Sequence, residues 1–276
     1  MPVRRSIYKT PAQLRAMIEP GLITAAALDA VRALIAPGVT TRELDAAASR
    51  VITDRGAKSN FQMVRGYRHT ICTSVNQQVV HGIPSDLVLA PGDIVSIDAG
   101  AEYEGWNGDS AFTVVVPDPS RPELVAEREE LSRVTEGSLW AGIAALATAR
   151  HLGEVGAAVQ EHIDAAGHGY GILREYVGHG IGRKMHESPS VFNYRTPDPG
   201  AEVRPGLAVA IEPMVVIGDQ ETFIEDDEWT VSTVDGTAGS HWEHSVAVHD
   251  GGIWVLTAPD GGAAGLAPFG ITPREI

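Results

Sequence analysis

The chain has 276 residues, with 36 acidic against 21 basic side chains, a formal charge of −15 and an apolar content of 43%. That length can bury a sizeable core in one or two domains, and the excess of acid disfavours non-specific contact with DNA or an anionic membrane. The single cysteine, Cys72, excludes an internal disulfide; with no apolar run long enough to span a bilayer and no signal-like stretch after the basic start Met1 to Arg5, the chain reads as cytoplasmic.

Thr10 caps a first helix with Pro11 at its first position, and Leu14, Met17 and Ile18 follow at helical spacing. Pro20-Gly21 is expected to break or kink it before a segment from Leu22 to Ile35. Thr40 with Glu43 forms a capping box for the next helix, which runs to about Gly56. The short apolar or alternating runs Ile94 to Ile97, Phe112 to Val116, Leu207 to Ile211 and Ser245 to Val248 read as strands, with a hairpin turn placed at Asn107-Gly108. Two alanine-rich stretches, Glu123 to Leu146 and Arg150 to Ala166, carry a period near 3.6 and predict helices. From about Pro259 the chain is rich in Gly, Ala and Pro, which predicts a loosely wrapped or disordered end. No break in composition divides the chain, so the reading is one α+β domain over residues 1–257 and a tail over 258–276.

The same layout occurs twice. Glu43-Leu44, Ala46-Ala47, Ile52 and Gly56 recur at the same offsets as Glu154-Val155, Ala157-Ala158, Ile163 and Gly167, and His81-Gly82-Ile83 recurs as His179-Gly180-Ile181. Each half then has a Pro-Gly pair and an apolar run ending in a carboxylate six residues past the glycine, Gly92 to Asp98 and Gly206 to Glu212. A second acid follows in each, Asp109 and Glu243. A series given twice predicts two halves, about 10–116 and 123–257, facing each other across a pseudo-twofold axis with the acids at the seam.

Most carboxylates in so acidic a chain are solvated surface groups. Asp98 and Glu212 each end an apolar run, where burial without a partner is costly, and no lysine or arginine lies near them in sequence. Asp109, alone, reads as readily as a turn residue; its place in the repeat favours a ligand. His179 sits in Gly-His-Gly-Ile-Gly, whose glycines admit close backbone packing around an imidazole, and His186 follows seven residues on. Imidazole nitrogen with carboxylate oxygen suits Mn, Fe, Co or Zn rather than Mg or Ca. Four carboxylates balance two divalent ions, which points to a two-metal hydrolytic site.

Cys72 to Asn76 with His81-Gly-Ile-Pro84, Gly92 to Asp98, Gly108-Asp109, Gly178 to Gly182, Ile211 to Met214 and Glu243-His244 together resemble the type I methionine aminopeptidases, from about residue 10 to 257. The resemblance implies a pita-bread fold, a curved antiparallel sheet backed by helices. It implies removal of the initiator methionine from peptides and nascent chains whose second residue is small, by a metal-bridged hydroxide. Carried over by motif, Asp98, Asp109, His179, Glu212 and Glu243 are the metal ligands, with Asp109 and Glu243 bridging the ions. Glu212 is the general base, His186 contacts the scissile carbonyl, His81 contacts the amide nitrogen, and Tyr67, Cys72, His81, Met185 and Trp229 wall the methionine pocket. The family further implies a monomer that meets its substrates at the ribosome. Cys72 as a nucleophile is set aside, because apolar neighbours do not lower a thiol pKa.

The chain departs from the family pattern around that pocket, at Arg68-His69-Thr70, at Met185, where Phe is common, and at His241, where Gln is common. A proline-directed peptidase of the same fold and a non-catalytic protein using the same cleft are the alternatives. His81-Gly-Ile-Pro speaks against the first, and the complete ligand set against the second.

Overall fold

The computed structural model describes residues 6–276, so the basic start Met1 to Arg5 lies outside the described residues. In chain order the elements are α1 (Pro11–Ala16), α2 (Ile18–Arg32), α3 (Thr41–Asp54), β1 (Lys58–Ser59), β2 (Ile71–Val75), β3 (Gln78–Val80), β4 (Ile94–Tyr103) and β5 (Trp106–Val115). The second half has α4 (Pro122–Leu146), α5 (Gly153–Ala165), β6 (Gly171–Ile172), β7 (Gly178–Gly180), β8 (Glu187–Val191), β9 (Ala208–Ile211) and β10 (Met214–Val216). It continues with β11 (Thr222–Ile224), β12 (Val231–Thr233), β13 (Gly239–His241), β14 (Glu243–His249), β15 (Gly252–Val255) and α6 (Ala263–Leu266).

The principal sheet has nine strands in the order β1-β4-β5-β14-β9-β7-β8, with β2 also on β4 and β15 on β14, and its pairings are antiparallel. Its middle is the pair β5 and β14, with Ala111 opposite Glu243. Outward from that pair, β4 flanks β5 as β9 flanks β14, so the two halves meet in matching order. The helices repeat too. Glu43 accepts the Thr40 N–H at 2.8 Å, and Glu154 accepts the His151 N–H at 3.0 Å, so α3 and α5 each start with a carboxylate reaching back three residues. Each half has its own core. Ile23, Leu28, Leu44 and Ile52 pack on Val95, Ile97 and Phe112, while Leu139, Ile143, Val159 and Ile163 pack on Val209, Ile211 and Val246. Two halves meeting at one seam are what the repeat predicts, and the antiparallel sheet with its helices is the α+β pita-bread arrangement that the resemblance implies.

Three expectations are corrected. The break before the second helix falls at Met17, and Pro20 is the third residue of α2. In that first turn a missing N–H costs no helical bond, and interrupting the chain upstream relieves the clash of the ring with the preceding turn. The hairpin turn lies at Glu104-Gly105, where both residues have positive φ (50° and 78°), as a two-residue type I′ turn requires. Asn107-Gly108 are therefore strand residues, and Gly108 is small because a Cβ there would lie 2.7 Å from the Gly21 Cα of α2. The tail is packed: Leu266 is wholly buried, Arg274 N–H donates to the Ile253 carbonyl at 3.0 Å, and Ile276 rests on the cluster of Leu14 and Met17. Its glycines serve close approach, since a Cβ on Gly261 or Gly265 would collide with the rings of Trp254 or Trp140.

Candidate metal centre

The middle of the principal sheet carries the acids. Asp98 on β4 lies opposite Ala111 on β5, and Ala111 lies opposite Glu243 on β14, so two carboxylates are placed across one shared neighbour. Asp109 sits two residues before Ala111 on β5, and Glu212 follows the last residue of β9, the strand on the far side of β14. Oxygens of Asp98, Asp109 and Glu243 lie within 4.8 Å of one another, as do ligand atoms of His179, Glu212 and Glu243, and of Asp109, His179 and His186. Asp109, His179 and Glu243 thus belong to two of these groups each.

The backbone around His179 is shaped by its flanking glycines. A Cβ on Gly178 would strike the Ala210 carbonyl, and one on Gly180 the Ser188 carbonyl, so β7 can lie between β8 and β9 only with glycine on both sides. The His179 Nδ1 faces the Gly180 carbonyl at 3.0 Å and donates to it in the tautomer that leaves Nε2 bare. That Nε2 lies 3.5 Å from Glu212 Oε1 and 3.9 Å from Asp109 Oδ2. The His186 ring packs edge-on to His179 with centroids 4.3 Å apart, at the mouth of the cluster.

Burial opposes charge throughout this group. It pushes Asp98 up to about 8 and drives Asp109, Glu212 and Glu243 well above the usual carboxylate range, the last three helped by neighbouring acids. It lowers His179 and His81 to about 4, which leaves both neutral at physiological pH. Asp98 Oδ1, Asp109 Oδ1 and Glu243 Oε1 are sealed from solvent and accept no hydrogen bond from the described residues. Buried carboxylate oxygens without partners, converging with a bare imidazole nitrogen, are the donor set of a divalent cation site.

The cluster forms the floor of a cavity of about 330 Å³. Tyr67, Cys72, His81, Met185 and Trp229 all line it. The Tyr67 ring meets Trp229 edge-on at 5.0 Å and Phe61 at 6.3 Å, and its hydroxyl donates to the Ile71 carbonyl at 2.7 Å, so an apolar surface faces the cavity. Asp45 of α3 secures the loop behind this wall, accepting the N–H groups of Thr70 and Ile71 at 2.7 and 3.1 Å. Trp229 is set by a turn in which Asp227 accepts the N–H groups of residues 229 and 230, each at 2.8 Å. His81 has φ of 62° and is followed by Gly82, where a Cβ would collide with the Thr73 carbonyl of β2. Burial pushes the Cys72 thiol up, away from the thiolate a nucleophile needs.

Phe61, Tyr176 and Met214 also line the cavity and were not singled out from sequence; neither was His241, beyond its departure from the family pattern. Met214 could have been found from its place two residues past Glu212, but nothing in the sequence marks Tyr176, whose ring meets His81 edge-on at 5.6 Å.

A curved sheet of two matching halves with acids and histidine at its seam is the architecture of the pita-bread metallopeptidases. The model of metallopeptidase family M24 matches residues 15–250. Methionine aminopeptidase 1 of Mycobacterium tuberculosis is 45% identical over 254 residues, covering 90% of this chain and 94% of the relative, and methionine aminopeptidase of Escherichia coli is 36% identical over 251 residues, covering 90% and 92%. The crystal structure of methionine aminopeptidase from Thermotoga maritima matches with a TM-score of 0.85 at 38% identity, covering 91% of this chain and 98% of that one. The prolidase from Pyrococcus furiosus matches with a TM-score of 0.70 at 22% identity and shares the fold alone. The chain belongs to metallopeptidase family M24, among its methionine aminopeptidases.

Proposed function

We infer that this protein is a metal-dependent aminopeptidase that removes the N-terminal methionine of peptides and nascent chains whose second residue is small. The observation that carries the reading is the junction of two environments in one cavity: an apolar wall of Tyr67, Cys72, Met185 and Trp229, of a chemistry that suits an unbranched thioether, above a floor of Asp98, Asp109, His179, Glu212 and Glu243. The five floor residues would hold two divalent ions drawn from Mn, Fe, Co or Zn. Ions there supply Lewis acidity and lower the pKa of a coordinated water.

The chain's own groups do the rest. Glu212 accepts a proton from the attacking water and returns it to the departing amine. His186, at the mouth, donates its ring N–H to the carbonyl oxygen as that oxygen gains charge, and His81 meets the amide nitrogen of the bond being cut. A neutral imidazole carries one N–H, so the downward shifts of His81 and His186 keep a donor on each without adding a cation to the floor. The floor fixes the free amine of the substrate and so restricts cleavage to the first residue.

Ribosome contact and a monomeric state are part of this reading. Five exposed basic residues, Arg50, Arg55, Lys58, Arg65 and Arg68, fall within one segment whose only acid is Asp54, and the same segment supplies Phe61, Val64 and Tyr67 to the cavity. Such a segment would offer a strongly acidic chain a basic stretch for phosphate near its pocket.

The test uses metal-stripped protein restored separately with Mn, Co, Fe or Zn, and a Met-Ala-Ser and an Xaa-Pro peptide. Metal-dependent release of methionine alone supports the reading; cleavage of the Xaa-Pro peptide alone, or no cleavage despite stoichiometric metal, overturns it. His81→Ala and His186→Ala should lower kcat while metal content holds, and loss of metal in either would mean that a ligand is misassigned.

A further inference from the structure

His241 lies on β13, opposite Met214 of β10, and is buried at 2% exposure. Its backbone is clamped by the Ser96 and Thr113 hydroxyls, 2.8 Å apart: the His241 N–H donates to Thr113 Oγ1 at 2.9 Å, and that hydroxyl reaches the His241 carbonyl at 2.8 Å. Ser96 and Thr113 are register partners on β4 and β5, the strands that carry Asp98 and Asp109, so the ring is referenced to the same frame as the acids. The imidazole reaches into the cavity, and its Nε2 is sealed from solvent with no hydrogen-bond partner among the described residues. The group facing it is Glu212, whose Oε2 lies 3.8 Å from Nε2, while Oε1 of the same carboxylate lies 3.5 Å from His179 Nε2. From behind, the Glu212 backbone carbonyl accepts the Asn193 side-chain amide at 3.0 Å. Glu212 is thus bracketed, one oxygen toward a ligand histidine and the other toward a ring nitrogen with no hydrogen-bond partner among the described residues.

We propose that His241 is a positioning residue for Glu212, its Nε2–H donating to Oε2 so that Oε1 is presented to the metal centre in a fixed plane. A buried ring N–H left without an acceptor costs more than the modest movement that closes 3.8 Å to hydrogen-bond distance. A carboxylate with one oxygen engaged in this way can turn toward the centre only through the other. The inference rests on Glu212 being a ligand and base. It differs from a pocket-wall role, in which His241 would shape the methionine site by bulk alone.

The test compares H241L, which keeps the bulk and removes the donor, with H241Q, which keeps a donor nitrogen at similar reach. In calorimetric titrations of metal-stripped protein with Mn or Co, H241L should bind roughly 10-fold more weakly, and its reloaded form should lose roughly 10- to 100-fold in kcat on Met-Ala-Ser with KM within about 2-fold of wild type. H241Q should restore both to within about 3-fold. A change in KM alone in H241L, unchanged metal affinity, or equal losses in H241Q and H241L would overturn the proposal. Should H241L fail to fold, NMR of wild-type protein with ¹⁵N-labelled histidine decides: a protonated Nε2 whose signal moves in E212Q supports the donor role, and an unprotonated Nε2 refutes it. Because metal affinity is read on stripped protein, it judges His241 even if no methionyl peptide is cleaved.

Discussion

Removing the divalent ions should make the fold sensitive to alkali. Burial places Asp98 at about 8 against an ordinary 3.8, and Asp109, Glu212 and Glu243 are raised well above their ordinary values. A carboxyl whose folded pKa exceeds its unfolded one contributes stability that is complete below the unfolded pKa and is lost as pH rises through the folded pKa. The buried histidines run the other way: His81, His179 and His244 at about 4 and His241 at about 3 add stability as pH rises toward 6.5. Above about pH 7 those rings are neutral in both states, so the acids dominate from about pH 7 to about pH 9, with the raised Cys72 thiol adding in the same direction only near the top of that window. At 1.36 kcal/mol per unit, Asp98 by itself costs the metal-free protein about 1.4 kcal/mol across that window, or roughly 3–6 °C in Tm, and the other three acids add to the fall. With ions bound the carboxylates are already charged and neutralised, so the loaded protein should melt almost independently of pH there. Scanning calorimetry of stripped and loaded protein measures both curves. Metal titrations in buffers of differing ionisation enthalpy should show proton release near neutral pH. A stripped protein whose Tm is flat or rises over this window, together with metal uptake that releases no protons, would refute the claim that these acids share one buried site.

Three further outcomes follow from the geometry. Cys72→Ala should keep kcat within a few-fold of wild type and act mainly on KM, because the raised thiol is a wall residue; loss of turnover with unchanged metal would restore it as a nucleophile. Gly265→Ala should destabilise by about 1–3 kcal/mol in urea, since its Cβ meets the Trp140 ring, whereas a loose tail would tolerate it. Reversing Arg65 and Arg68 to Glu should weaken salt-sensitive sedimentation with ribosomes while leaving cleavage of Met-Ala-Ser intact, and unchanged sedimentation would discard this segment as the contact surface.

Much of the architecture was legible because the chain states it twice. Glu43 and Glu154 were visible as equivalent positions, and they turn out to make the same backward bond at the same offset. What stayed hidden depends on approach between segments distant in sequence. Gly265 reads as a flexible residue until Trp140, more than a hundred positions earlier, is placed over it; Asn107-Gly108 reads as a turn until α2 is laid across Gly108. Glycine marks either free backbone or the closest packing in a protein, and composition alone does not separate the two.

The site shows the same limit from the other side. The acids could be found one by one, as charges closing apolar runs, but the reason they need a cation is collective: strand register sets Asp98 and Glu243 on either side of Ala111 and leaves their inner oxygens without any donor. His241 is informative for the same reason. Read alone it is one of ten histidines in an acidic chain, and its meaning comes from the bracket around Glu212, in which one carboxylate oxygen faces His179 and the other faces a buried ring nitrogen with no second partner. An apolar residue at position 241 would pack as well and leave Glu212 free to turn. The cost of burying an unpaired imidazole there is understandable only if the orientation of that carboxylate matters to what the centre does.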